Sequence, residues 1–162
     1  RNGEEIGFVI SVMSGEQDRI DIAQAAAQQL REVGIHCTVD IPAVMDWGGQ
    51  MACLIGWGSP FDADDHTYKV FGTDKGANYS GYSNAEVDEA LTHARESSDP
   101  AVRKQYYDEF QVALANDPAY AFICYIDANY VATSRLHGID AETVMGHHGV
   151  GIFWNVETWT LD

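Results

Sequence analysis

The first 41 residues constrain this chain more than any other stretch. Ile6–Val12 is an apolar run rich in β-branched residues, the pattern of a buried strand. Ile20, Ala23, Ala27 and Leu30 then recur at helical spacing, and Gly34 supplies the stop. Ser14 and Gln17 stand at capping-box spacing ahead of that helix. Ile35, Cys37, Val39 and Ile41 alternate along one face of a second strand. Strand, helix and strand at this length predict a parallel β-α-β crossover.

The rest of the chain extends that frame. Ala52–Trp57 reads as a third short strand, ended by Gly58-Ser59-Pro60, which cannot continue regular pairing. Residues 59–82 are rich in Gly, Asp, Asn and aromatics without a long period. They read as a functional loop carrying one short helix over His66–Phe71. Ser83 and Glu86 form a second capping box before Val87, Ala90, Leu91 and Ala94. Asp99-Pro100 gives an N-cap followed by proline at the first helical position. Val102, Tyr106, Phe110, Ala113 and Leu114 hold helical spacing until Asp117-Pro118 stops it. Ala119–Ile126 and Tyr130–Thr133 read as strands around an Asp-Ala-Asn turn, and Gly151–Leu161 as a final strand. The sum is an α/β fold, a mixed sheet flanked by helices, in one domain spanning residues 1–162. The abrupt opening at Arg1 reads as that of a piece cut from a longer protein.

Composition narrows the function by exclusion. The chain carries 25 acidic against 9 basic residues, a net charge of −16. Such a surface repels phosphate backbones and argues against nucleic acid. It suits cationic ligands, and it equally suits plain solubility. Cys37, Cys53 and Cys124 are far apart and include no C-x-x-C pair, which argues against a cysteine zinc site. There is no G-x-S-x-G elbow, no H-E-x-x-H helix and no phosphate-cradling glycine loop, so neither an enzyme nor a cofactor is indicated.

Three stretches, taken in order, resemble the C-terminal lobe of the family-5 extracellular solute-binding proteins, which serve peptide and nickel importers. The first is Leu30-Arg31-Glu32-Val33-Gly34-Ile35 leading into a strand. The second is Gly56-Trp57, closing a strand before an acidic, proline-containing loop. The third is Asn78-Tyr79-Ser80-Gly81-Tyr82-Ser83-Asn84 leading into Glu86-Val87-Asp88 and a pair of helices with Asp99 and Arg103-Lys104-Gln105-Tyr106-Tyr107 between them. The resemblance implies a periplasmic-binding-protein-like type II lobe that closes on its ligand against an N-terminal lobe. It also implies an ABC permease as membrane partner, and a periplasmic or extracellular location, with a lipid anchor as one means of retention.

The same resemblance frames the ligand. Peptide-binding members place an aspartate three residues after this tryptophan, where it pairs with the peptide's terminal amine; here Pro60 stands at that position. Nickel-binding members resemble Trp-Gly-x-Pro-aromatic-Asp, which Trp57-Gly58-Ser59-Pro60-Phe61-Asp62 matches at every fixed position. Their metal-contacting histidine has no counterpart between Gly72 and Tyr82. Peptide, metal chelate or another small cationic solute therefore stay open.

Trp57 and Phe61 are the candidate walls of the site, since aromatics beside a strand end commonly line pockets. Asp62 is the acid retained from the cluster Asp62, Asp64, Asp65 and His66, whose other members suit a helix cap and solvent. Asn78, Tyr79 and Tyr82 could reach a ligand from the cleft edge, or serve turn packing. His147-His148 reads as an exposed glycine-flanked loop rather than a metal pair, because neighbours in sequence do not share a face. A sensing module would share this fold and differ only in its partner. Ser59, His66 and an aspartate could be imagined as a triad, but nothing fixes their geometry, so a hydrolase or metal-dependent enzyme stands as the lesser alternative.

Overall fold

In the computed structural model the opening unit takes the expected form: β1 (Ile6–Ser11), α1 (Gln17–Glu32) and β2 (Ile35–Asp40). Residues 5–58, 62–127, 129–139 and 151–162 are described. They divide into two compact units, Arg1–Gly56 and Trp57–Asp162.

In the first unit β1 is the central strand of a parallel sheet, with β2 on one side and β3 (Ala52–Cys53) on the other. The β1–β2 ladder runs in register from Ile6 opposite Ile35 to Ser11 opposite Asp40. Cys37 is buried and Ile35 and Val39 are partly covered, while His36, Thr38 and Asp40 face solvent. This is the period-two alternation read from the sequence. Ile20, Ala23 and Ala27 are the buried stripe of α1. Val12, Ile20 and Ala23 form the core with Ile10, Val39 and Leu54 packed against them.

The second unit contains α2 (Asp64–Phe71), α3 (Ala85–Glu96), α4 (Pro100–Asn116), a 3-10 helix (Gly151–Thr158) and a two-stranded antiparallel ribbon of β4 (Leu136–His137) and β5 (Thr160–Leu161). Its core is the α3–α4 seam: Val87, Ala90, Leu91, Phe110, Ala113 and Leu114, with Tyr68, Phe71, Tyr82 and Tyr107 packed on it. Leu91 is fully buried; truncating such a leucine to alanine costs about 2–5 kcal/mol.

Five expectations need correction. Ser14 does not cap α1. Its amide instead donates to Pro42 O at 2.9 Å, Gly15 turns the chain at φ +93°, and Glu16 is the N-cap without a side-chain bond. Ser83 is not the cap of α3; Asn84 is, accepting from the amides of Glu86 and Val87 at 2.9 and 3.3 Å. The third strand stops at Cys53, since only Ala52 and Cys53 find ladder partners on β1. The expected final strand is a 3-10 helix followed by a two-residue strand. Finally, the described residues of 119–133 form no strand. They have the composition of strands, but a strand is completed by neighbours, and no ladder partner is available among the described residues. Asp99 followed by Pro100 does cap α4 as expected, accepting from the Ala101 amide at 2.8 Å.

Candidate ligand-binding site

The site is built by two segments of the second unit, the short helix α2 and the loop that follows it. Asp62 starts α2. Its Oδ1 accepts from the Asp64 amide at 2.8 Å and its carbonyl accepts from the Asp65 amide at 3.1 Å. Asp64 and Asp65 fill the first turn, where carboxylates complement the helix dipole. Arg103 from α4 donates to Asp62 Oδ1 at 2.5 Å, and Arg95 Nε from α3 lies 3.0 Å from Asp64 Oδ1. The α2 amide first, and then Arg103, hold the Asp62 carboxyl below its ordinary pKa. Two arginines thus fix the start of α2 to the α3–α4 hairpin, and the third residue of α2 is His66.

His66 meets Trp57, with ring centroids 5.6 Å apart at a 46° tilt. On the other side Trp57 stacks on Tyr79, 6.1 Å apart and only 14° from parallel. Three rings from three separate stretches therefore meet. Trp57 Nε1 and His66 Nδ1 are buried and have no hydrogen-bond partner among the described residues. A buried polar atom without a partner costs about 1–3 kcal/mol. Two on touching rings mark a place where a further molecule would complete the bonding.

The loop carrying Tyr79 is fixed from within by Asn78. The Asn78 amide nitrogen donates to Gly72 O at 3.0 Å and Tyr82 O at 2.7 Å. Its Oδ1 accepts from the Tyr82 amide at 3.0 Å and from Ser80 Oγ at 3.1 Å. Gly81 sits at φ +65°, which lets the turn close. Tyr82 points away toward the core; its hydroxyl donates to Asp117 O at 2.8 Å, and burial raises its pKa. Asn84 adds a second link, donating to Asp117 Oδ2 at 3.0 Å.

Of the residues singled out from sequence, the structure brings Trp57 and Tyr79 together. It commits Asp62 to the Asp64 amide and the ion pair with Arg103, Asn78 to the loop, and Tyr82 to the end of α4. Phe61 and His147-His148 lie outside the described residues. Sequence reading passed over His66 as one polar residue in a cluster. Its Nε2 lies 4.0 Å from Asp65 Oδ2 while the ring meets Trp57, an arrangement that no local spacing in the sequence marks. Among the described residues no three His, Cys, Asp or Glu side chains converge as a metal site.

No family model matches the chain. It is 34% identical over 149 residues to Protein XP55 of Streptomyces lividans, covering 88% of this chain and 28% of that protein. It is 28% identical to the oligopeptide-binding protein AppA of Bacillus subtilis, covering 99% of this chain and 30% of that protein. The chain thus spans less than a third of the length of these curated relatives. Among solved structures, NikZ from Campylobacter jejuni, in complex with Ni(L-His), matches at a TM-score of 0.81 and 36% identity, over 99% of this chain and 34% of that one. The structure of Bacillus subtilis AppA in complex with a nonapeptide matches at a TM-score of 0.70 and 27% identity, with the same coverage.

Proposed function

From a chain whose structural neighbours are family-5 extracellular solute-binding proteins, we propose that these residues supply one lobe of the solute-binding component of an ABC importer. The lobe works outside the cytoplasm and hands its ligand to a membrane permease. It binds without doing chemistry on what it binds. No described helix is long and apolar enough to cross a membrane.

One observation carries the reading: Trp57, stacked on Tyr79 and tilted on His66, with ring nitrogens of Trp57 and His66 unpartnered among the described residues. Aromatic faces supply apolar contact, and an indole N–H can donate only to an acceptor oxygen or nitrogen. A short peptide and a metal–amino acid chelate both offer carbonyl or carboxylate oxygens. Pro60, in place of the amine-pairing aspartate of peptide-binding members, favours the chelate.

The test is calorimetric titration of the product of the complete reading frame against nickel alone, nickel with histidine, and short peptides. Saturable binding of nickel only when histidine is present, weakened in Trp57→Ala, is the expected result. Binding of peptides alone moves the assignment to the peptide class. No binding of any of them by a folded protein removes both.

A further inference from the structure

The chain carries more negative charge than its own basic residues can offset. Solubility of a domain this size asks for a net charge of about 2–8; here it is −16. Among the described residues the cations are already engaged. Arg19, Lys69, Arg95, Arg103 and Lys104 are each paired with one carboxylate. Arg31 donates to the Ala27 carbonyl, Lys75 lies over the Tyr68 ring, and Arg135 donates to the Asp162 carbonyl. The acidic surplus sits on exposed positions: Asp18 and Asp21 three apart on α1, Glu86 and Glu89 three apart on α3, and Glu109 on α4. Like charges at that spacing repel. Five of the fourteen buried apolar residues described are alanine, so the core sets little side-chain area against this repulsion.

We propose that this fold depends on dissolved salt: monovalent cations, held as a diffuse atmosphere over the exposed carboxylates, supply the neutralisation that the chain's own basic residues do not. A net charge far from zero opposes the compact state by self-repulsion. At about 10 mM salt the screening length is roughly 30 Å, so carboxylates on different helices act on one another; at about 1 M it is roughly 3 Å, and only near contacts remain. The placement of the cations sharpens the inference. Lys69, Lys75, Arg95 and Arg103 all stand on or against α2, and its Asp62, Asp64 and Asp65 each face one of them. The site helix is therefore balanced internally, while α1 and the α3–α4 hairpin are left to the solvent. The surroundings complete the electrostatics of those helices, a requirement that a dilute medium does not meet. The proposal goes beyond the receptor reading and does not depend on it.

The test follows amide hydrogen exchange of the folded product of the complete reading frame at about 10 mM, 0.1 M and 1 M sodium chloride, each against an unstructured peptide in the same salt. Protection of α1 and α4 should rise roughly tenfold or more from the lowest salt to the highest, with most of the gain in the first step and the same gain in potassium chloride. The α2 amides should gain least. Glu32→Lys, Asp40→Lys and Glu109→Lys together replace three exposed carboxylates by cations. They should cut the salt response of α1 and α4 by about half, by raising protection at low salt. The milder set Glu32→Gln, Asp40→Asn and Glu109→Gln should act in the same direction by less. Protection that stays flat or falls with salt overturns the proposal, as does a salt response unchanged in both sets of variants. A gain reached with millimolar calcium and not with sodium overturns it too, since that would mean a built cation site in place of an atmosphere. Ligand takes no part in the measurement, so any of these failures leaves the receptor reading standing.

Discussion

Two neighbouring parts of the second unit treat their polar atoms in opposite ways. In the loop around Asn78, one side chain makes four hydrogen bonds to its own loop, and the Tyr82 hydroxyl and Asn84 amide close on Asp117. At the Trp57–His66 contact, two buried ring nitrogens have no partner among the described residues. Folding alone satisfies the first and not the second. The difference separates residues that hold the fold from residues held in readiness by it. It also divides a candidate list in which Asn78, Tyr79 and Tyr82 had equal standing.

The sharpest way to break the contrast is Asn78→Ala. It removes four bonds and strands the Gly72 and Tyr82 carbonyls, so it should cost about 3 kcal/mol of stability, read as a fall in urea midpoint. A loss within experimental error would mean that the loop is held by something else. Next, Trp57→Ala should lower ligand affinity tenfold or more, about 1.4 kcal/mol per decade, as measured by calorimetry. The third change is smaller and opposite in sign. His66→Phe keeps a ring against Trp57 and deletes the unpartnered Nδ1, so it should leave stability unchanged or raise it by up to about 1 kcal/mol while weakening the ligand. A clear destabilisation would show that the ring's nitrogens matter to the fold, through a partner of Nδ1 or through the contact of Nε2 with Asp65 Oδ2 at 4.0 Å.

The smallest effect is in pH. The Asp62 pKa is lowered in the folded protein, so its contribution is present above the unfolded value near ~3.9 and is lost as pH falls through the folded value. Thermal midpoints of the wild type should therefore drop more steeply below about pH 4 than those of Asp62→Asn, which keeps the acceptor for the Asp64 amide. Parallel slopes would remove Asp62 from the account of acid stability.

The opening β-α-β unit was legible because its information is local and periodic: alternation in β2, a stripe in α1, and a glycine between them. The α3–α4 hairpin was legible for the same reason. The caps slipped because Ser14 and Ser83 have the right spacing but a better partner wins nearby, the left-handed turn at Gly15 in one case and the Asn84 side chain in the other. The segment at 119–133 was misread because a strand's composition is local and its completion is not. In the site, Trp57 was legible as an aromatic beside a turn. Its pairing with Tyr79, 22 positions on, and with His66 depends on how α2 is tethered by Arg95 and Arg103, which no local pattern records.

The double link at Asp117 has a kinetic consequence. Helix ends normally fray independently, each terminal turn opening on its own. Here the start of α3 and the end of α4 are fastened at one residue, and the loop bearing Tyr79 is fastened with them. Neither end can unwind without releasing the other and slackening the loop. The stacking partner of Trp57 is then lost only in a concerted opening of the hairpin's open end, so its position is held by the cooperativity of two helices rather than by the stiffness of one turn.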